Sequence, residues 1–140
     1  MFGKKKNEGL KMMKLFAKTM DEKGIKYTQH DSQPVLFIRY RGDNFEGLTF
    51  TFIFDEDGGT LSVKVYSIVK FKESQLTDAY AFANEMNTKY RWIKLYVDSD
   101  NELTAAMDAV ITEKTVGEEC IELLFRAVSI VDDVYKALMA

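Results

Sequence analysis

The chain has 140 residues and a formal net charge of −3, from 19 lysines and arginines against 22 aspartates and glutamates. That balance lacks the basic excess on which phosphate-driven nucleic-acid binding depends. The length suits one domain with a single core, and one cysteine, Cys120, excludes an internal disulfide framework.

Residues Met1 to Glu8 are expected to form a flexible leader, with a single α+β domain over 9–140. Lys4, Lys5 and Lys6 read as a solvated terminus. No apolar h-region follows them and no run of about 20 apolar residues occurs. No secretory signal or membrane-spanning helix is therefore expected, and the cytoplasm is the expected location.

Leu10, Met13, Phe16, Ala17 and Met20 recur at helical spacing and predict an amphipathic helix closed by Gly24. Ile25 to Gln29 reads as a short strand, and Pro34 ends a polar break. Val35 to Arg41 is a second strand. Leu48, Phe50, Phe52 and Phe54 alternate with Thr49, Thr51 and Ile53, a period-two pattern. Asp55-Glu56-Asp57-Gly58-Gly59 is a hairpin connection. Alternation resumes from Leu61 through Phe71. Such short connections imply an antiparallel meander.

Ser74 is placed to cap the next helix, whose stripe is Leu76, Ala79, Tyr80, Ala83, Met86 and Tyr90. Trp92 to Val97 is a strand, followed by an acidic turn. Leu103 to Thr112 is read as a strand despite its alanines, because the preceding turn is short and the segment ends in Val110-Ile111-Thr112. Thr115 and Glu118 fit a capping box. Cys120, Leu124, Ala127, Val128, Val131, Val134, Tyr135 and Leu138 form the last helical stripe, widened by Ile121, Phe125 and Ile130.

Chemistry-bearing residues are sparse. His30, the one histidine, sits in a polar loop without neighbours at metal-ligand spacing. With Asp31 and Ser32 it cannot form a triad, since adjacent residues lack that geometry. Cys120 falls on an apolar stripe and reads as a buried hydrophobe. Asp55, Glu56 and Asp57, and Asp98, Asp100 and Glu102, offer oxygen ligands, but neither turn has the glycine and glutamate of a calcium loop. Gly58-Gly59 lacks phosphate-loop spacing, and Asp132-Asp133 reads as the solvent edge of the last helix. No catalytic site, cofactor or metal is expected.

The element order is helix, strands, helix, strand, acidic turn, strand, helix. Ala79, Ala83 and Asn84-Glu85-Met86-Asn87 lie toward the end of the second helix. This arrangement resembles the YbjN family, described as putative bacterial sensory transduction regulators, with a fold similar to type III secretion chaperones. The resemblance covers about residues 10–139. It implies an antiparallel sheet of five to six strands with helices packed on one side, in the order α-β-β-β-β-α-β-β-α. It also implies protein binding and a homodimer as one form of it. It supplies no catalytic residues.

If Leu48, Phe50, Phe52, Phe54, Leu61, Val63 and Val65 face the helices, then Thr49, Thr51, Ile53, Tyr66 and Ile68 face away. Depending on register, Phe37, Arg39 and Arg41 join them. The expected function is a non-enzymatic interaction module, chaperone-like or a regulatory adaptor, contacting a protein partner through Phe37, Arg39, Ile53, Tyr66 and Ile68. An exposed sheet edge is a further route, by strand addition. The alternative is a small-ligand sensor with an apolar groove between the last helix and the sheet, rimmed by Tyr80, Tyr90 or Trp92.

Overall fold

A computed structural model describes residues 7–140, so the lysine run at 4–6 lies outside the described residues. Helix α1 (Glu8–Lys23) begins within the segment expected to be leader. Asn7 caps it, its Oδ1 accepting the Leu10 N–H at 3.1 Å. That satisfies one of the donors a helix start leaves open. The Glu8 and Gly9 N–H groups donate to the Glu56 carbonyl, tying the first turn to the acidic hairpin. Gly24 ends the helix in the left-handed region (φ 72°), as its position in the sequence predicts.

Six strands form one antiparallel sheet: β1 (Thr28–Gln29), β2 (Val35–Tyr40), β3 (Leu48–Phe54), β4 (Thr60–Val65), β5 (Lys94–Val97) and β6 (Leu103–Val110). Their spatial order is β1-β2-β3-β4-β6-β5. Leu36 pairs with Phe52 and Ile38 with Phe50; Phe50, Phe52 and Phe54 pair in turn with Val65, Val63 and Leu61. These side chains share one face and all are buried. Phe16 of α1 meets them, its ring centroid 4.8 Å from that of Phe52 and 6.4 Å from that of Phe54. The alternation fixes the register because a one-residue slip would expose the whole row.

Helix α3 (Val116–Met139) lies beside α1 on this inner face, burying Cys120, Leu124, Ala127, Val131 and Val134. Helix α2 (Leu76–Lys89) packs against β5. No helix among the described residues is long and apolar enough to cross a membrane. The alanines of β6 stay extended, since pairing of Ala105 and Ala106 on both sides, pairing of Ala109 with β4, and burial of Ala105 and Met107 outweigh their local preference.

Several sequence expectations are corrected. The first strand is shorter than Ile25 to Gln29. The fourth ends at Val65 rather than running to Phe71. Ser67 takes φ 56°, and from Val65↔Ala105 to the bridge Lys70↔Glu102 one strand advances five residues (65 to 70) while the other advances three (105 to 102). This irregularity turns Ile68 inward, where it is 6% exposed. Ser74 does not cap α2; it lies in a 3-10 turn (Glu73–Gln75). The Thr115–Glu118 capping box does not form: Thr115 instead bonds the Glu119 carboxylate, and Glu118 approaches Lys23 of α1 at 3.7 Å. Asp132 is not merely solvent edge. It accepts the Asn44 backbone N–H at 2.7 Å and the Asn44 amide at 2.9 Å, anchoring the β2–β3 loop to α3.

Candidate functional site: the open sheet face and the β6 groove

The face of the sheet opposite the helices is built by the other half of each strand. Arg39 pairs with Thr49, Phe37 with Thr51 and Val35 with Ile53. Thr51 then pairs with Lys64, and Ile53 with Ser62. Tyr66, 46% exposed, lies past the end of β4. Phe37, Arg39, Thr49, Thr51 and Tyr66 line a hollow of about 370 Å³ that no helix residue enters. Arg39 reaches across it, donating to the Gly47 carbonyl at 3.4 Å. Of the five residues expected to form a contact face, Phe37, Arg39, Ile53 and Tyr66 are therefore brought to the same side. Ile68 is not, because the irregular segment at Ser67 sends it into the core.

A second concavity, about 840 Å³, lies between the end of β6 and the first half of α3. Trp92, Val110 and Leu123 supply its apolar surface, while Asp108, Glu118, Glu119 and Glu122 supply carboxylates. Trp92 is 53% exposed and sits at φ 74° just before β5. The Arg126 guanidinium lies 5.2 Å from the centre of its ring, a cation–π distance, and is held by Glu122 at 2.8 Å. Of the expected rim residues only Trp92 lines this groove. Tyr80, read as part of a buried stripe, is 56% exposed because α2 buries only the narrow row Ala79, Ala83 and Met86. Tyr90 is half-buried, and its hydroxyl is pushed above the usual range by burial and then by the charge of Asp133.

Asn87 has a defined task. Its amide donates to the Leu95 carbonyl at 3.0 Å and its Oδ1 accepts the Leu95 N–H at 2.7 Å. One side chain thus replaces a neighbouring strand along the outer edge of β5, a position that otherwise invites unwanted pairing. Lys94 completes the joint by donating to the Asn87 and Tyr90 carbonyls, at 3.1 and 3.3 Å, at the end of α2.

A family model described as "YbjN: Putative bacterial sensory transduction regulator" matches residues 14–139. The chain belongs to the YbjN family. A solved structure reported as the crystal structure of YbjN, a putative transcription regulator from E. coli, superposes with a TM-score of 0.61 at 11% identity, covering 90% of this chain and 93% of that one. At that identity the likeness establishes a shared fold. No curated protein matches the chain significantly.

Within this YbjN-family fold, the polar residues singled out in the sequence serve local structure. His30 is exposed, and its Nδ1 accepts the N–H groups of Ser32 and Gln33 at 3.2 and 3.0 Å, shaping the turn before β2. Cys120 is fully buried, and burial, reinforced by Glu119, pushes its thiol far above the ordinary range. That leaves it a poor nucleophile. Asp98, Asp100 and Glu102 bring carboxylate oxygens within 4.8 Å of one another. Yet Asp98 already accepts the N–H groups of Glu102 and Asp100 and the hydroxyl of buried Thr104. The Glu102 N–H bond, helped by these others, holds its carboxyl below the usual carboxylate range. No sequence signal distinguished the bridging roles of Asn87 and Asp132, whose partners in β5 and the β2–β3 loop are recognisable only once the chain is folded.

Proposed function

We propose that the chain is a non-enzymatic protein-interaction module, a chaperone-like or regulatory adaptor acting in the cytoplasm and able to self-associate. The observation that carries this reading is the helix-free face on which Phe37, Arg39, Ile53 and Tyr66 lie together. Mixed aromatic and aliphatic surface with an arginine suits a protein contact. The family description points to regulation, and the E. coli relative is described as a putative transcription regulator. For this chain a net charge of −3 favours regulation through a protein over direct contact with phosphates.

The same residues also stabilise the sheet by cross-strand pairing, at about 0.2–1 kcal/mol per pair. The test must therefore separate folding from binding. Phe37→Glu and Tyr66→Glu, alone and together, are expected to melt cooperatively. They should lose self-association in sedimentation velocity, or capture of a defined partner from the native organism. If both variants keep the self-association and partner capture of the wild type, the open face is not the contact surface.

A further inference from the structure

Strand β6 is longer than the strand beside it. Pairing with β5 stops at Lys94↔Ala106, whereas pairing with β4 continues to Thr60↔Val110. The ladder determines where the remaining backbone points. The Ile111 N–H donates to the Gly59 carbonyl at 3.0 Å. By alternation Ala109 and Met107 also bond toward β4, so Asp108 and Val110 aim their N–H and C=O groups the other way, into the space beyond the start of β5. The edge of β5 itself is sealed by Asn87, and β1, at the far side, is two residues long.

That space is the groove under α3. Val110 stands in it 77% exposed, with Trp92 and Leu123 as further apolar lining. Four carboxylates line it against two cations, Lys114 and Arg126, and Arg126 is already engaged by Glu122. A second copy docking edge to edge would bring another Asp108 toward this one, and like charges across a strand pair repel. The geometry points to a strand-addition site for an extended segment of a partner protein in which lysine or arginine alternates with apolar residues. The segment continues the line of β5. Its backbone exchanges hydrogen bonds with Asp108 and Val110; the side chains turned toward α3 are apolar and pack on Trp92 and Leu123, and the basic set, on the opposite face, meets the Asp108 carboxylate. This rests on the protein-binding reading but uses a different surface from the open face.

The probe is a fluorescein-labelled decapeptide of alternating lysine and valine with serine at both ends, followed by fluorescence anisotropy. One control carries N-methyl groups on the residues facing β6, and another replaces lysine with glutamate. Val110→Pro is the informative variant, because the Val110 N–H points away from β4 and proline removes a donor from the groove and none from the ladder. Saturable binding is expected, weakened about tenfold or more by N-methylation, by Val110→Pro and by the glutamate exchange, the size expected for a lost hydrogen bond. The Phe37→Glu, Tyr66→Glu double variant should bind as the wild type does. Absence of binding overturns the proposal, as does equal binding of the N-methylated peptide, which signifies adsorption by charge alone. Loss of self-association in Val110→Pro assigns the groove to a second copy and also overturns it. Binding lost in the double variant but kept in Val110→Pro moves the contact to the open face, sinking this proposal while sparing the broader function.

Discussion

Asn87 and Asp98 show how single polar side chains replace missing backbone partners. Asn87→Ala leaves the Leu95 N–H and C=O without their partner at a part-buried joint, which costs about 1–3 kcal/mol. Urea unfolding should show a lowered midpoint for Asn87→Ala and also for Asn87→Asp, which keeps the acceptor for the Leu95 N–H but sets a carboxylate oxygen against the Leu95 carbonyl. Asp98 governs part of the acid response. Its folded carboxyl is held below its ordinary value, so the folded state binds fewer protons than the unfolded chain. The stabilisation is complete above the unfolded carboxylate range, about 3.9, and is lost as pH falls through the lower folded value. Asp98→Asn should therefore show a flatter decline in urea midpoint between neutral and strongly acid pH. An unchanged acid limb would remove Asp98 from that account.

At the scale of elements, hydrophobic alternation was decisive where one face is buried and silent where it is not. Phe50, Phe52 and Phe54 declare their face because α1 places Phe16 against it. The same reasoning carried Ile68 outward, since nothing in Tyr66-Ser67-Ile68 announces a left-handed serine. Tyr80 was misplaced for a geometric reason: a helix at the edge of a sheet buries a thinner stripe than one lying across it. The helix α1 also reverses an ordinary propensity argument. Replacing a helical glycine by alanine usually gains about 1 kcal/mol. A Cβ on Gly9 would stand 2.5 Å from the Asp55 carbonyl oxygen, part of the hairpin backbone. Gly9→Ala should instead destabilise by about 1–3 kcal/mol, the cost of overpacking, as a fall in melting temperature with unchanged far-ultraviolet circular dichroism.

Over the whole molecule, the asymmetry of the sheet matters more than any cluster of reactive groups. Helices occupy one side, a hollow with aromatic and arginine side chains occupies the other, and the second half of β6 has a neighbour only on its β4 side. The architecture and element order were legible in the chain, because periods of two and of roughly three and a half alternate cleanly along it. Four of the five expected contact residues share a face for the same reason. The groove was harder to read: it arises from a mismatch in length between β5 and β6 and from the approach of α3 across distant sequence. Of its lining only Trp92 was anticipated, whereas Asp108, Val110 and the Glu118–Glu122 carboxylates gain meaning only from that juxtaposition.

Cys120 turns this architecture into its own reporter. Because the sole sulfhydryl is sealed on the helix that packs beside α1, an alkylating reagent can reach it only during excursions that lift α3 from its bed. The modification rate, divided by that of an unstructured thiol, counts how often the helical layer detaches. Occupancy of either outer surface should slow that clock whenever the bound form resists detachment.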